Sequence, residues 1–135
     1  MEGEGLAPEV DEVTYRAHAR FRYMLRRFLR FSAEQARRHG ITPEQHQLLL
    51  AIRASRRGWL LVGEVARVLL VSPHAAVGLV ERAAAHDLVR KETDPEDRRR
   101  VRVALTASGE DLVARLTWEH RSRLRALWRR IPAPR

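Results

Sequence analysis

The chain has 135 residues, enough for one compact domain and too few for two ordinary ones, and 44% apolar residues suffice for a packed core. Lys and Arg total 26 against 17 Asp and Glu, net +9, with Lys91 the only lysine; arginine's planar fork binds phosphate and guanine edges, so double-stranded nucleic acid is the leading partner. There is no cysteine, which excludes disulfides and thiolate metal sites. No apolar run has the length of a membrane span, and the acidic stretch Met1 to Asp11 lacks signal-peptide character, so a cytoplasmic protein without membrane contact is expected.

Residues 1–9 read as a flexible leader. From 10 to 40 the pattern is helical: Val13, Ala17, Phe21, Met24, Leu25, Phe28 and Phe31 recur every three or four residues, with Arg16, Arg20, Arg26, Arg27, Arg30 and Arg37 opposite. Gly40 after Arg37, Arg38 and His39 reads as a glycine C-cap. A helix this long cannot bury its aromatic stripe on so small a domain, and needs a second long helix or a second subunit.

Thr42-Pro43-Glu44-Gln45 starts the next helix as a capping box with proline in the first turn. Leu48, Leu49, Ala51 and Ile52 form its buried side, and it ends near Ser55. Trp59 to Leu61 reads as a short strand and Val62 to Leu69 as a short helix. Ser72-Pro73 begins another helix that runs to about His86. Leu88 to Glu92 and Val101 to Leu105 are strands around the polar turn Thr93 to Arg99. Thr106 caps a last long helix, with Leu112, Val113, Leu116, Leu124, Leu127 and Trp128 on its apolar stripe, ended by Pro132 and Pro134.

Two short adjacent helices followed by a hairpin make a winged helix-turn-helix. The expected fold is therefore mainly α with a small β-wing. Residues 41–105 are the DNA-binding region, flanked by long dimerisation helices at 10–40 and 106–135. The second of the two short helices lies in the major groove in such folds. That puts Ser72, His74, Ala75, Ala76, Gly78, Leu79 and, a turn later, Arg82 at the DNA. The run Arg98-Arg99-Arg100 on the hairpin turn is placed for the narrow minor groove.

The segment from Gly40 to Gly109 resembles the MarR family of bacterial transcriptional regulators. Its most specific part is Asp94-Pro95-Glu96-Asp97-Arg98-Arg99-Arg100 closing on Leu105-Thr106, similar to the family's wing pattern D-x-x-D-x-R followed by L-T-x-x-G. Val62-Gly63-Glu64-Val65-Ala66 and Ser72-Pro73 match the helix before the turn and the start of the recognition helix. The resemblance implies a homodimer reading a pseudo-palindromic operator, a repressor released by a small aromatic or phenolic effector. It also implies that Arg99 is the wing tip in the minor groove, that Asp97 holds the wing arginines by a salt bridge, and that Arg98 and Arg100 contact phosphates or brace the turn.

The sequence departs from the family pattern in four places. His74, Ala75, Val77 and Gly78 stand where hydroxyl residues and an arginine are usual, so base reading falls to His74 and Arg82. Leu70 and Asp87 replace two turn glycines, and the chain stops at Arg135, short of a further helix. No nucleophile elbow, P-loop, dinucleotide fingerprint or zinc spacing is present, so no catalytic residue, cofactor or metal ligand is assigned. The alternative reading is a winged-helix protein-interaction module with weak or non-specific DNA binding.

Overall fold

The computed structural model describes residues 5–129. Its elements are α1 (Glu12–Arg38), α2 (Pro43–Ala54), β1 (Trp59–Leu61), α3 (Val62–Leu69), α4 (Pro73–Ala85), β2 (Val89–Thr93), β3 (Val101–Leu105) and α5 (Ala107–Trp128). The mainly helical fold with a small antiparallel sheet is the expected one. Pro132 and Pro134, expected to end the last helix, lie outside the described residues.

The chain divides into two units, residues 1–31 and 32–135. In the first, the Asp11 carboxylate accepts the Thr14 amide at 2.7 Å, capping α1. That hydrogen bond holds the Asp11 carboxyl below its ordinary range. The helix then exposes Val13, Tyr15, Phe21, Tyr23, Leu25 and Leu29, an apolar set too large for an isolated surface helix.

In the second unit α1 finishes with Ala36 fully buried. Gly40, at φ +77°, takes the left-handed conformation, and the Ile41 amide reaches back to the Ala36 carbonyl at 3.1 Å. The Thr42 capping box forms as read: Gln45 N donates to Thr42 Oγ1 at 3.1 Å and Thr42 N to Gln45 Oε1 at 3.0 Å. The core gathers Leu48, Leu49 and Ile52 of α2, Val65 of α3, Val80 of α4, Val103 of β3, and Val113 and Leu116 of α5.

The sheet has the order β1-β3-β2, both pairs antiparallel, with Leu60 opposite Val103 and Lys91 opposite that same valine. Thus β1 extends the hairpin as an edge strand beside β3. At its base Gly109 explains the L-T-x-x-G signature. A Cβ there would stand 2.1 Å from the Leu88 carbonyl oxygen, a distance no side chain tolerates. The same carbonyl accepts the Thr106 amide at 3.1 Å, and Thr106 Oγ1 caps α5 by accepting from Gly109 N.

The axes of α3 and α4 turn through 109°, within the range of a helix-turn-helix. Leu70 makes that turn at φ +55°, ψ +44°, and is 91% exposed; Asp87 closes α4 at φ +57°. These are the two positions where glycine is usual, and the backbone keeps the left-handed geometry without it. A left-handed L-residue costs roughly 1–2 kcal/mol, and an exposed Leu70 recovers none of that by packing.

One polar cluster interrupts the interface of α2 with α5. His46 and His120 are both buried, with ring centroids 5.3 Å apart. His120 Nδ1 donates to the Leu116 carbonyl at 2.6 Å, Ser32 Oγ approaches His46 Nδ1 at 3.5 Å, and His39 Nε2 meets Glu119 Oε1 at 2.8 Å. Burial, then the neighbouring His120 and His39, push the His46 pKa down to about 4. Among the described residues no helix is long and apolar enough by itself to cross a membrane.

Candidate nucleic-acid interface

Ser72 sits in extended backbone before α4, and its Oγ accepts the Ala75 amide at 3.1 Å. Pro73 follows in the first turn, where its missing N–H leaves no hydrogen bond unmade. One side of α4 then packs inward through Ala76, Leu79, Val80 and Ala83, which lie in the core at 5% exposure or less. This corrects two expectations. Ala76 and Leu79 cannot touch a base, because they are three and six residues after Pro73, on the face that covers α2 and α3. Ser72, His74, Ala75 and Arg82 are exposed, as is Val77, and Gly78 is half-exposed.

The outward face also carries a residue that the sequence reading missed. Glu81 pairs with Lys91 of β2 at 3.2 Å, joining α4 to the hairpin. Helical spacing puts 74, 78, 81, 82 and 85 together, so the periodicity did hold this signal.

The wing is built on two aspartates. Asp97 accepts the Arg99 amide at 3.0 Å and the Arg99 guanidinium at 3.2 and 3.3 Å, and it stands 3.6 Å from Arg100 Nε. The Arg99 side-chain and backbone hydrogen bonds, with the Arg100 charge, hold the Asp97 carboxyl below its usual range. The Arg99 side chain is 90% exposed at the tip, with Arg98 and Arg100 exposed beside it.

Asp94, in contrast, is buried. It accepts the Glu96 amide at 2.9 Å and Arg102 Nη2 at 3.4 Å, while its own amide donates to the Arg100 carbonyl at 3.0 Å. The first aspartate of the pattern therefore shapes the turn, and the second grips the arginines.

A stacked network continues from Asp94 to α3. The Arg102 guanidinium lies 3.9 Å from the Trp59 ring centroid and the Arg57 guanidinium 4.1 Å from it. Arg57 in turn donates to both Glu64 oxygens at 2.6 and 2.7 Å, and Glu64 caps α3 by accepting the Leu61 amide at 3.1 Å. The Arg57 hydrogen bond is the main reason the Glu64 carboxyl is held below its ordinary range. Sequence reading saw Trp59 only as part of a strand. The one available signal was an aromatic two residues after the Arg56-Arg57 pair, at the start of a short strand.

Between this network, α4 and the wing runs an open cleft of about 700 Å³, whose lining includes Leu61, Val62, Val77 and Val80 together with Arg67 and Arg100. No group of three or more His, Asp or Glu that could hold a metal ion occurs among the described residues.

The MarR family model matches residues 39–100. No curated protein sequence matches the chain. Several solved structures share the fold. AbsC, a MarR family transcriptional regulator from Streptomyces coelicolor, has 19% identity and a TM-score of 0.76 over 95% of this chain and 86% of its own. Wild-type MarR from E. coli, in its apo form, has 21% identity and a TM-score of 0.71 over 93% of this chain and 89% of its own. A MepR variant from Staphylococcus aureus bound to an oligodeoxyribonucleotide has 22% identity and a TM-score of 0.68 over 87% of this chain and 85% of its own.

Proposed function

We propose that the chain is a member of the MarR family, whose model matches its winged helix-turn-helix over residues 39–100, and that it is a homodimeric DNA-binding transcriptional repressor of a pseudo-palindromic operator. The observation that carries this reading is the wing. Three successive arginines project from a turn whose backbone is fixed by Asp94 and Asp97, beside the exposed face of α4. Arginine inserted into a narrow minor groove meets enhanced negative potential, and the neighbouring cations neutralise phosphates. Affinity is then mainly electrostatic, with sequence read by the wing tip and by the polar groups of α4.

Dimerisation is supported by exposed apolar surface on both long helices. Val13, Phe21, Leu25 and Leu29 on α1, and Trp118 and Trp128 on α5, the latter pair each 65% exposed, are what a second subunit would cover. Release by a small aromatic effector is the regulatory half of the proposal and rests on the family resemblance alone. A chromosomal target places the work in the cytoplasm.

Mobility shift of duplex DNA from upstream of the chain's own gene tests the reading. A discrete, saturable complex that survives unrelated competitor DNA and is lost in Arg99→Ala supports it. Equal binding to all duplexes, or none, sinks it. That outcome would favour the second reading, a protein-interaction module, for which the apolar Ala75 and Val77 on the exposed face of α4 are the specific observation. A folded monomer by sedimentation at micromolar concentration would refute the dimer.

A further inference from the structure

His74, Gly78 and Arg82 follow one another at four-residue spacing along α4, opposite buried Ala76, Leu79, Val80 and Ala83. Helical side chains lean toward the N-terminus of their helix, and Arg82 does so. Its guanidinium lies back over Gly78, with Nη1 3.1 Å and Cζ 3.8 Å from where a Cβ at position 78 would stand.

A glycine inside a helix costs about 1 kcal/mol relative to alanine. No backbone requirement explains this one, since Gly78 is helical and does not take a positive φ. What the missing side chain permits is the close seat of the Arg82 guanidinium against the helix. The seat moves the charged group about one helical turn, roughly 5.4 Å, toward the N-terminal end. That is the end from which a recognition helix reads base edges.

We propose that Arg82, seated over Gly78, is the guanine-reading side chain of this helix, and that Gly78 determines specificity by seating it. The inference rests on the DNA-binding reading above. The guanidinium offers two parallel N–H donors that match guanine O6 and N7. Of the other residues on the exposed side, Glu81 is held by Lys91 at 3.2 Å, Ala75 and Val77 have no hydrogen-bonding group, and His74 lacks the paired donors of a guanidinium fork.

The test is selection of the full chain, and of its Arg82→Ala, Arg82→Lys and Gly78→Ala variants, against a random-sequence duplex library. The selected duplex is then titrated beside an unselected one. Wild type should enrich half-sites with an invariant guanine. Arg82→Ala should lose about ten- to a hundredfold on the selected duplex and far less on the unselected one. Arg82→Lys should keep the unselected affinity and lose the guanine, because an ammonium lacks the fork. Gly78→Ala should melt higher than wild type yet discriminate several-fold less, which a purely structural role would not produce.

If Arg82→Ala and Gly78→Ala retain the guanine, or lose affinity equally on every duplex, Arg82 is a phosphate contact and the inference is overturned, with the regulator reading intact. A wild-type chain that enriches no sequence overturns the regulator reading as well.

Discussion

His46 makes the stability of this protein depend on pH between neutrality and pH 4. The ring is only 6% exposed, and its nearest titratable neighbours are His120, at 5.3 Å between centroids, and His39, which is paired with Glu119. Protonation would place a cation in a buried site beside two other imidazoles. The His46 pKa is lowered from 6.5 to about 4 in the folded chain. A depressed folded pKa means the unfolded chain binds the proton first. Stability from this group is therefore fully present above pH 6.5 and is lost as pH falls toward 4. The loss is about 2 kcal/mol by pH 5 and about 3 kcal/mol by pH 4. For a chain of this length, 2 kcal/mol corresponds to a fall of roughly 5–10 °C in Tm. Thermal unfolding followed by circular dichroism at fixed protein concentration, from pH 7.5 to pH 5, measures it. His46→Gln cannot be protonated and should shed most of that slope, although it starts lower at pH 7.5 through lost packing. Parallel Tm profiles for the two proteins would refute the argument. So would an NMR titration in which the His46 ring protonates near pH 6.5.

Three further perturbations follow from the fold. Gly109→Ala drives a methyl to 2.1 Å from the Leu88 carbonyl oxygen and should cost about 2–4 kcal/mol; an unchanged urea midpoint would mean that α5 shifts freely at its first turn. Leu70→Gly relieves a left-handed leucine at φ +55°. Offset by the greater freedom of glycine in the unfolded chain, it should gain about 0.5–1 kcal/mol, and a lower Tm than wild type would contradict the strain. Trp59→Ala removes the ring between Arg57 and Arg102, so amides from Thr93 to Val101 should exchange several-fold faster while the core helices keep their protection. Trp59→Phe should restore much of the loss, and identical wing exchange in all three proteins would show that the stack does not hold the hairpin.

The helices were legible because each has a local cause. The Thr42 box, Ser72-Pro73 and Thr106 each satisfy amides within a few residues, and the 3.6-residue period is visible without tertiary information. The wing was legible for the same reason, since Asp97 reaches Arg99 across two positions. What escaped reading is what the fold assembles from afar. Glu64, Arg57, Trp59, Arg102 and Asp94 form one network only because β1 pairs with β3, which brings Leu61 opposite Arg102.

The two misplaced contacts, Ala76 and Leu79, have a different origin. Reading the start of α4 by position alone puts Ala76 and Leu79 at the DNA with Ser72, His74, Ala75 and Gly78, although a helix lying on a core can present only about half its circumference. Applying the buried periodicity of Leu79, Val80 and Ala83 to the same helix removes both residues. It leaves the line His74, Gly78, Arg82 standing outward. The glycine that looked like a loss of reading capacity is then the residue over which the arginine of α4 lies back, one turn closer to the reading end of the helix. Local spacing names the face, but only the packed structure says which side chain occupies it.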